Sequence, residues 1–242
     1  MTDNTNKECP AKKSGTFSRE AAGGGAAPLK LRVVYDNAGC IVCIKPAGIP
    51  TEGEKNSATA ILSEQTGHTV LPVHRLDTDT SGVMVFAYKK DEAARLSELI
   101  REKRSFEKVY LTVVEGCPEE PSGIFSDLLY FDRARNKSFV VSKSRAGVKE
   151  ASLCYETVAS AETEGHVLSL VRVRLNTGRT HQIRVQFASR GMPVAGDRRY
   201  GSHLKCALAL RSEKISFPDR KGNMLSFENP SPFVYPFDIF SV

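Results

Sequence analysis

The nine residues His74-Arg75-Leu76-Asp77-Thr78-Asp79-Thr80-Ser81-Gly82 set two carboxylates beside a cation and a turn-forming glycine, directly before the apolar run 83–87. Asp77 has three candidate chemistries there: metal ligand, turn cap or catalytic carboxylate. As a calcium loop, Asp77, Asp79, Ser81 and Gly82 would fill positions one, three, five and six of an EF-hand. The carboxylate required at position twelve falls on Tyr88, residues 83–87 are apolar, and Pro72 and Val73 stand where a helix should enter. No metal is expected. As a turn, the segment gives Asp79 a capping role, with Thr80 and Ser81 bonding locally. Arg75 and Asp77 are left without a structural task.

A second concentration of chemistry runs from Arg172 to Arg211, with nine Lys/Arg and a single acid, Asp197. Its centre is Asn176-Thr177-Gly178-Arg179-Thr180-His181-Gln182-Ile183-Arg184. Thr180 is placed to cap a helix over about 181–190 that packs through Ile183 and Phe187. Arg179 and Arg184 would then flank its positive end, where a cation costs about a few tenths of a kcal/mol or more. Arginines belong there if an anion meets them, either a phosphate or a carboxylate such as Asp77.

The elements that must position these groups are short. Residues 31–35 and 40–44 are apolar runs around Asp36-Asn37-Ala38-Gly39, the pattern of a hairpin, and Lys45-Pro46-Ala47-Gly48 stops the second strand. A helix is expected over 57–66, and another after Asp91 as N-cap, with Leu96, Leu99, Ile100 and Lys103 on one face. Strands are expected at 109–115, 138–142, 151–158 and 167–175, and residues 207–242 read as strand plus loop. The intermixed order gives an α+β fold: a single catalytic domain, 29–242, on a mixed, largely antiparallel sheet flanked by helices and loops. Residues 1–28, with Gly23-Gly24-Gly25 and few large apolar groups, read as a mobile tail that holds no further domain.

The chain has 242 residues, 40% hydrophobic and 26% charged, enough for one sizeable core and unlike a disordered protein. A formal charge of +6 favours a polyanionic partner. No run reaches the roughly 18 apolar residues of a membrane span, and no apolar block follows Lys7, Lys12 and Lys13 to make a signal peptide. A cytoplasmic location is expected. The six cysteines are then reduced, buried or half-buried thiols, and Cys40-x-x-Cys43 lacks the second pair that a zinc site needs.

Taken together, the motifs resemble the RluA-type pseudouridine synthases. The resemblance rests on His74-Arg75-Leu76-Asp77-x-x-Thr80-Ser81-Gly82 and Thr177-Gly178-Arg179-Thr180-His181-Gln182-Ile183-Arg184. It extends to Lys45-Pro46-Ala47-Gly48, to the stretch from Lys108 to Gly116 and to Gly196-Asp197-Arg198-Arg199-Tyr200-Gly201, in the family's order across about 31–242. It implies isomerisation of uridine to pseudouridine in structured RNA, ribosomal or transfer. Asp77 matches the catalytic aspartate, Tyr110 the tyrosine packing on the base, and Arg184 the arginine that pairs with the aspartate. Cleaving an N-glycosidic bond develops positive charge that a carboxylate can stabilise or capture, and a guanidinium favours the charged form of that carboxylate. No redox change occurs, so no cofactor is implied.

A stacked uridine must flip out to react, and Arg75 is placed to brace the vacated space. Arg179 and the basic group Arg133, Arg135, Lys137, Lys143, Arg145 and Lys149, on or near a hairpin, are the candidate phosphate contacts. Of these, Arg133, Lys137 and Lys143 are the leading candidates. His74, His181 and Gln182 are expected to organise the fold. No membrane and no obligatory protein partner are implied, and a monomer is expected. The chain departs from the family at Leu210-Arg211-Ser212, where Leu-His-Ala is usual, which alters a pocket edge or a packing contact. The rival reading is a noncatalytic RNA-binding module that keeps the fold.

Overall fold

The computed structural model describes residues 29–102, 105–163 and 165–240, so the expected tail over 1–28 and Lys103 lie outside the described residues. Alternating side chains account for the first half of the fold. Strands β1 (Arg32–Asp36) and β2 (Cys40–Lys45) form the expected hairpin, and β2 pairs in full with β4 (Ser81–Ala87). Ile41, Cys43, Met84 and Phe86 face one core, whereas Cys40, Val42, Val83 and Val85 face another. Both faces of these strands are buried, which explains why their sequences read as continuous apolar runs. Cys40 and Cys43 sit on opposite faces and cannot converge on one metal. Cys117 departs from the expected burial, being exposed.

Helix α1 (Ala58–Thr66) covers the first core through Ile61 and Leu62. Ser57 caps it by accepting from the Ala60 amide at 3.1 Å, and Gly67 ends it in a left-handed conformation. Helix α2 (Lys90–Glu102) covers the other face through Leu96. It begins one residue before the expected cap, so Asp91 lies inside its first turn, where its carboxylate meets Arg220 at 2.6 Å.

The remaining strands are β3 (Leu71–Pro72), β5 (Glu107–Glu115), β6 (Ser122–Asp132), β7 (Lys137–Val141), β8 (Val148–Thr163), β9 (His166–Leu175), β10 (Leu210–Pro218) and β11 (Met224–Glu228). Together they make one sheet in the order β1-β2-β4-β10-β5-β9-β8-β6-β7, with β3 on β4 and β11 on β10. The expected largely antiparallel arrangement is present, and among the described residues the one parallel pairing is β4 with β10. Gly82 makes that junction possible. It has φ +123, and a Cβ there would lie 2.1 Å from the Ser212 carbonyl oxygen. The close approach fixes the loop carrying Asp77 against the centre of the sheet. Strand β6 was not expected: its outward face includes Ile124, which is 67% exposed, so its apolar pattern is diluted.

Helix α3 is shorter than expected, Gln182–Ala188, and is buried almost all round rather than through Ile183 and Phe187 alone. Thr180 is not its cap. His181 precedes the helix in a left-handed conformation, φ 55, and makes no side-chain capping bond. The Gln182 side chain instead accepts from the Arg179 amide at 3.0 Å and from Thr177 Oγ1 at 2.7 Å, while its own amide donates to the Ser152 carbonyl at 3.1 Å. These bonds tie the preceding loop to β8.

Candidate active site

Asp77 sits in a turn closed by the Thr80 amide donating to the Asp77 carbonyl at 3.0 Å. Thr51 fastens the neighbouring Leu76: its hydroxyl donates to the Leu76 carbonyl at 2.9 Å and accepts from the Leu76 amide at 3.1 Å. Beneath the turn lies Lys45, fully buried, whose ammonium donates to the carbonyls of Pro46 (2.9 Å), Ile49 (2.6 Å) and Thr78 (3.0 Å). Burial pushes its pKa down to about 8, while the charges of Asp79 and Asp77 pull the other way. The Lys-Pro-Ala-Gly stretch therefore serves as a support for the aspartate loop. Asp79 is exposed within the turn.

The Asp77 side chain, 19% exposed, directs Oδ2 toward Arg184 Nη1 at 3.2 Å. The other edge of the guanidinium is held by Asp197, through Nε to Oδ2 at 2.6 Å and Nη2 to Oδ1 at 2.8 Å. Asp197 is 1% exposed and Arg184 7%. Burial works against the arginine's charge, but the hydrogen bonds and charge of Asp197, followed by Asp77, more than offset it and hold Arg184 above its ordinary range. One guanidinium thus bridges a sealed carboxylate and an open one. The geometry orients Arg184 before any ligand arrives, because the bidentate pair fixes its plane. Asp197 had no role in the sequence reading beyond its place in a motif. Its signal was its position as the single acid among nine basic residues. Gly196 before it has φ +78, and a Cβ there would lie 2.3 Å from the Ala207 carbonyl oxygen.

His181 approaches the same oxygen, its Nε2 lying 3.7 Å from Asp77 Oδ2. The Ser138 amide donates to the Tyr200 hydroxyl at 2.7 Å, and that hydroxyl lies 3.0 Å from His181 Nδ1. The network assigns the Tyr200 proton to Nδ1 and the ring proton to Nε2, facing Asp77. Burial pushes His181 below its ordinary pKa, against the pull of Asp77, so the neutral ring prevails near neutral pH. His74 is also structural: it is half-buried, accepts from the Val85 amide at 3.2 Å, and desolvation together with Lys108 lowers its pKa to about 3.

Asp77, His181, Arg184 and His74 line a cleft of about 690 Å³. Tyr110, on β5, lines it; burial, with the Asp77 charge second, pushes the phenol above its ordinary range and keeps it protonated. Arg75 and Arg179 also line the cleft, and Arg179 Nε donates to the Glu150 carbonyl at 2.9 Å. Thus three separate stretches of the chain, carrying Arg75 and Asp77, Tyr110, and Arg179 and Arg184, converge. Arg133, Lys137 and Lys143 do not line this cleft: Arg133 is in the β6–β7 turn, Lys137 opens β7 and Lys143 follows it. Lys137 instead lies over the Tyr200 ring, 5.0 Å from its centroid. The departure at Leu210-Arg211-Ser212 falls on packing, since the two exchanged positions, Arg211 and Ser212, do not line the cleft and Ser212 Oγ donates to the Val83 carbonyl at 3.0 Å. Leu210 lines the cleft, while Arg211 is buried and donates to the carbonyls of Asn229 (3.2 Å) and Ser231 (3.1 Å).

The architecture is that of pseudouridine synthases: the chain superposes on Human RNA Pseudouridylate Synthase Domain Containing 1 with a TM-score of 0.73 at 22% identity, covering 87% of each chain. Residues 39–189 match the family model for RNA pseudouridylate synthase, and the protein belongs to that family, whose members are isomerases. It is 34% identical to the uncharacterized RNA pseudouridine synthase YhcT of Bacillus subtilis, over 77% of this chain and 63% of that protein. It is 35% identical to an uncharacterized RNA pseudouridine synthase of Zymomonas mobilis, over 72% of this chain and 80% of that protein. A further relative, 29% identical over 72% of this chain and 75% of its own length, is named tRNA pseudouridine synthase C of Vibrio parahaemolyticus. Another at 29%, over 71% and 54%, is named Ribosomal large subunit pseudouridine synthase C of Buchnera aphidicola.

Proposed function

We propose that the cleft isomerises uridine in structured ribosomal or transfer RNA to pseudouridine. In this reading Asp77 is the catalytic carboxylate, Arg184 its ion-pair partner and Tyr110 the group that packs on the base. The observation that carries it is the open carboxylate of Asp77 held 3.2 Å from an arginine whose other edge is locked by Asp197. A carboxylate so oriented suits a reaction in which the N1–C1′ bond breaks and positive charge grows on the sugar. The C5–C1′ bond then forms, C5 loses its proton to solvent and N1 gains one, so atoms and electrons balance without a cofactor. The protonated phenol of Tyr110 offers a face for the detached uracil and a group able to exchange a proton. Arg75, exposed at the cleft, braces the RNA after the uridine flips out.

The experiment is incubation with ribosomal and transfer RNA transcripts tritiated at uridine C5. Tritium is expected in water without added cofactor, and Arg184→Met is expected to lose at least about 100-fold in kcat, the size of an electrostatic contribution, with little change in RNA affinity. Wild-type turnover by that variant would reject the ion-pair role.

A further inference from the structure

Two lysines are buried among the described residues, and the fold treats them in opposite ways. Lys45 has three carbonyl acceptors and two nearby carboxylates. Lys108, 8% exposed, makes no hydrogen bond or ion pair among the described residues, and burial alone pushes its pKa down. The adjacent acid Glu107 is taken by Arg174 at 2.8 Å. A desolvated ammonium without an anion is costly, so its retention in a cleft points to a ligand that brings the anion.

Lys108 and Tyr110 are two apart on β5, hence on one face, and both line the cleft. Their separation along the strand, about 7 Å, is on the scale of one nucleotide. Opposite stands Gly178, where a Cβ would lie 3.4 Å from the Lys108 ammonium. Any larger side chain would cover that charge. We propose that Lys108 binds a backbone phosphate of the nucleotide whose base lies on Tyr110, and that Gly178 leaves the space the phosphate enters. The inference rests on the uridine reading of the cleft. A phosphate fits better than a uracil carbonyl because a compact ammonium is matched by a full negative charge, which a neutral carbonyl does not provide.

The test compares binding of uridine 3′,5′-bisphosphate with binding of uridine, by calorimetry or NMR titration. The wild-type protein is expected to prefer the bisphosphate on the order of tenfold, one charge-assisted contact, and less so as salt rises. Lys108→Met is expected to lose the preference while keeping its affinity for uridine; Lys108→Arg restores part of it. Gly178→Val, at a backbone position outside the left-handed region, should abolish the preference by covering the ammonium and decides the matter if Lys108→Met does not fold. A preference that survives either folded variant, or no preference in the wild type, overturns the proposal. Tritium release separates the two readings: a Lys108-dependent preference without isomerisation leaves the phosphate site standing, and isomerisation without the preference removes the phosphate site alone.

Discussion

Replacing Asp197 by Asn tests whether Arg184 is oriented from its buried side. The exchange conserves shape but removes the charge and turns one of two acceptors into a donor. Arg184 Nε and Nη2, now 2.6 and 2.8 Å from the carboxylate oxygens, would keep one bond and face an N–H at the other. A net charge-assisted bond is worth about 1.5–3 kcal/mol, and breaking a buried pair by removing one partner costs about 3–5 kcal/mol. Asp77 still offers a carboxylate at 3.2 Å, so the lower end applies, about 3 kcal/mol. With a urea m-value of about 2–3 kcal/mol/M, the unfolding midpoint falls by about 1 M or more. Turnover falls as well, because the guanidinium plane is no longer fixed. A midpoint shift equivalent to less than about 0.5 kcal/mol, the scatter of ordinary surface substitutions, would refute the reasoning.

Tyr110→Phe keeps the aromatic face and deletes the phenol; a loss in kcat of about 100-fold or more with RNA affinity retained is expected for an acid–base role, whereas wild-type kcat would leave the ring alone as the functional part. The folded pKa of His74, about 3, lies below its unfolded value of 6.5, so the unfolded chain binds the extra proton and stability falls as pH drops below 6.5. This site alone contributes a loss of about 2 kcal/mol by pH 5, and His74→Gln, which retains an acceptor for the Val85 amide, should flatten the urea-unfolding profile over that window. Equal slopes for the two proteins would discard the assignment.

How far the sequence carried depended on whether a feature was local. The β1–β2 hairpin and the helix over about 57–66 are written in adjacent residues, and both appear where the pattern put them. Strand β6 is not, since its pairing with β7 and β8 decides its conformation and Ile124 spends its hydrophobicity on solvent. The start of α3 was misplaced because Thr180 is a good capping type, yet its carbonyl is engaged by Ser138 Oγ at 2.6 Å and the left-handed turn falls on His181. At the site, residue types drew attention to Asp77 and Arg184, and the family resemblance added Tyr110. They did not reveal that Arg184 has two carboxylate partners, because the bond to Asp197 depends on how the loop after α3 folds back. Nor did charge alone tell Arg75 and Arg179, which line the cleft, from Arg133, Lys137 and Lys143, which do not.

Asp77, in the proposed reaction, performs chemistry and is not simply a member of an RNA-binding surface. Asp77→Asn leaves the Asp197–Arg184 pair intact and replaces a partly exposed carboxylate, so the folded protein and its RNA affinity should persist. The decisive measurement is tritium release from C5-labelled RNA by this variant beside the wild type, with RNA binding measured on the same preparations. Binding without release is the expected result. Release by Asp77→Asn at the wild-type rate would contradict the assignment and remove Asp77 from the mechanism.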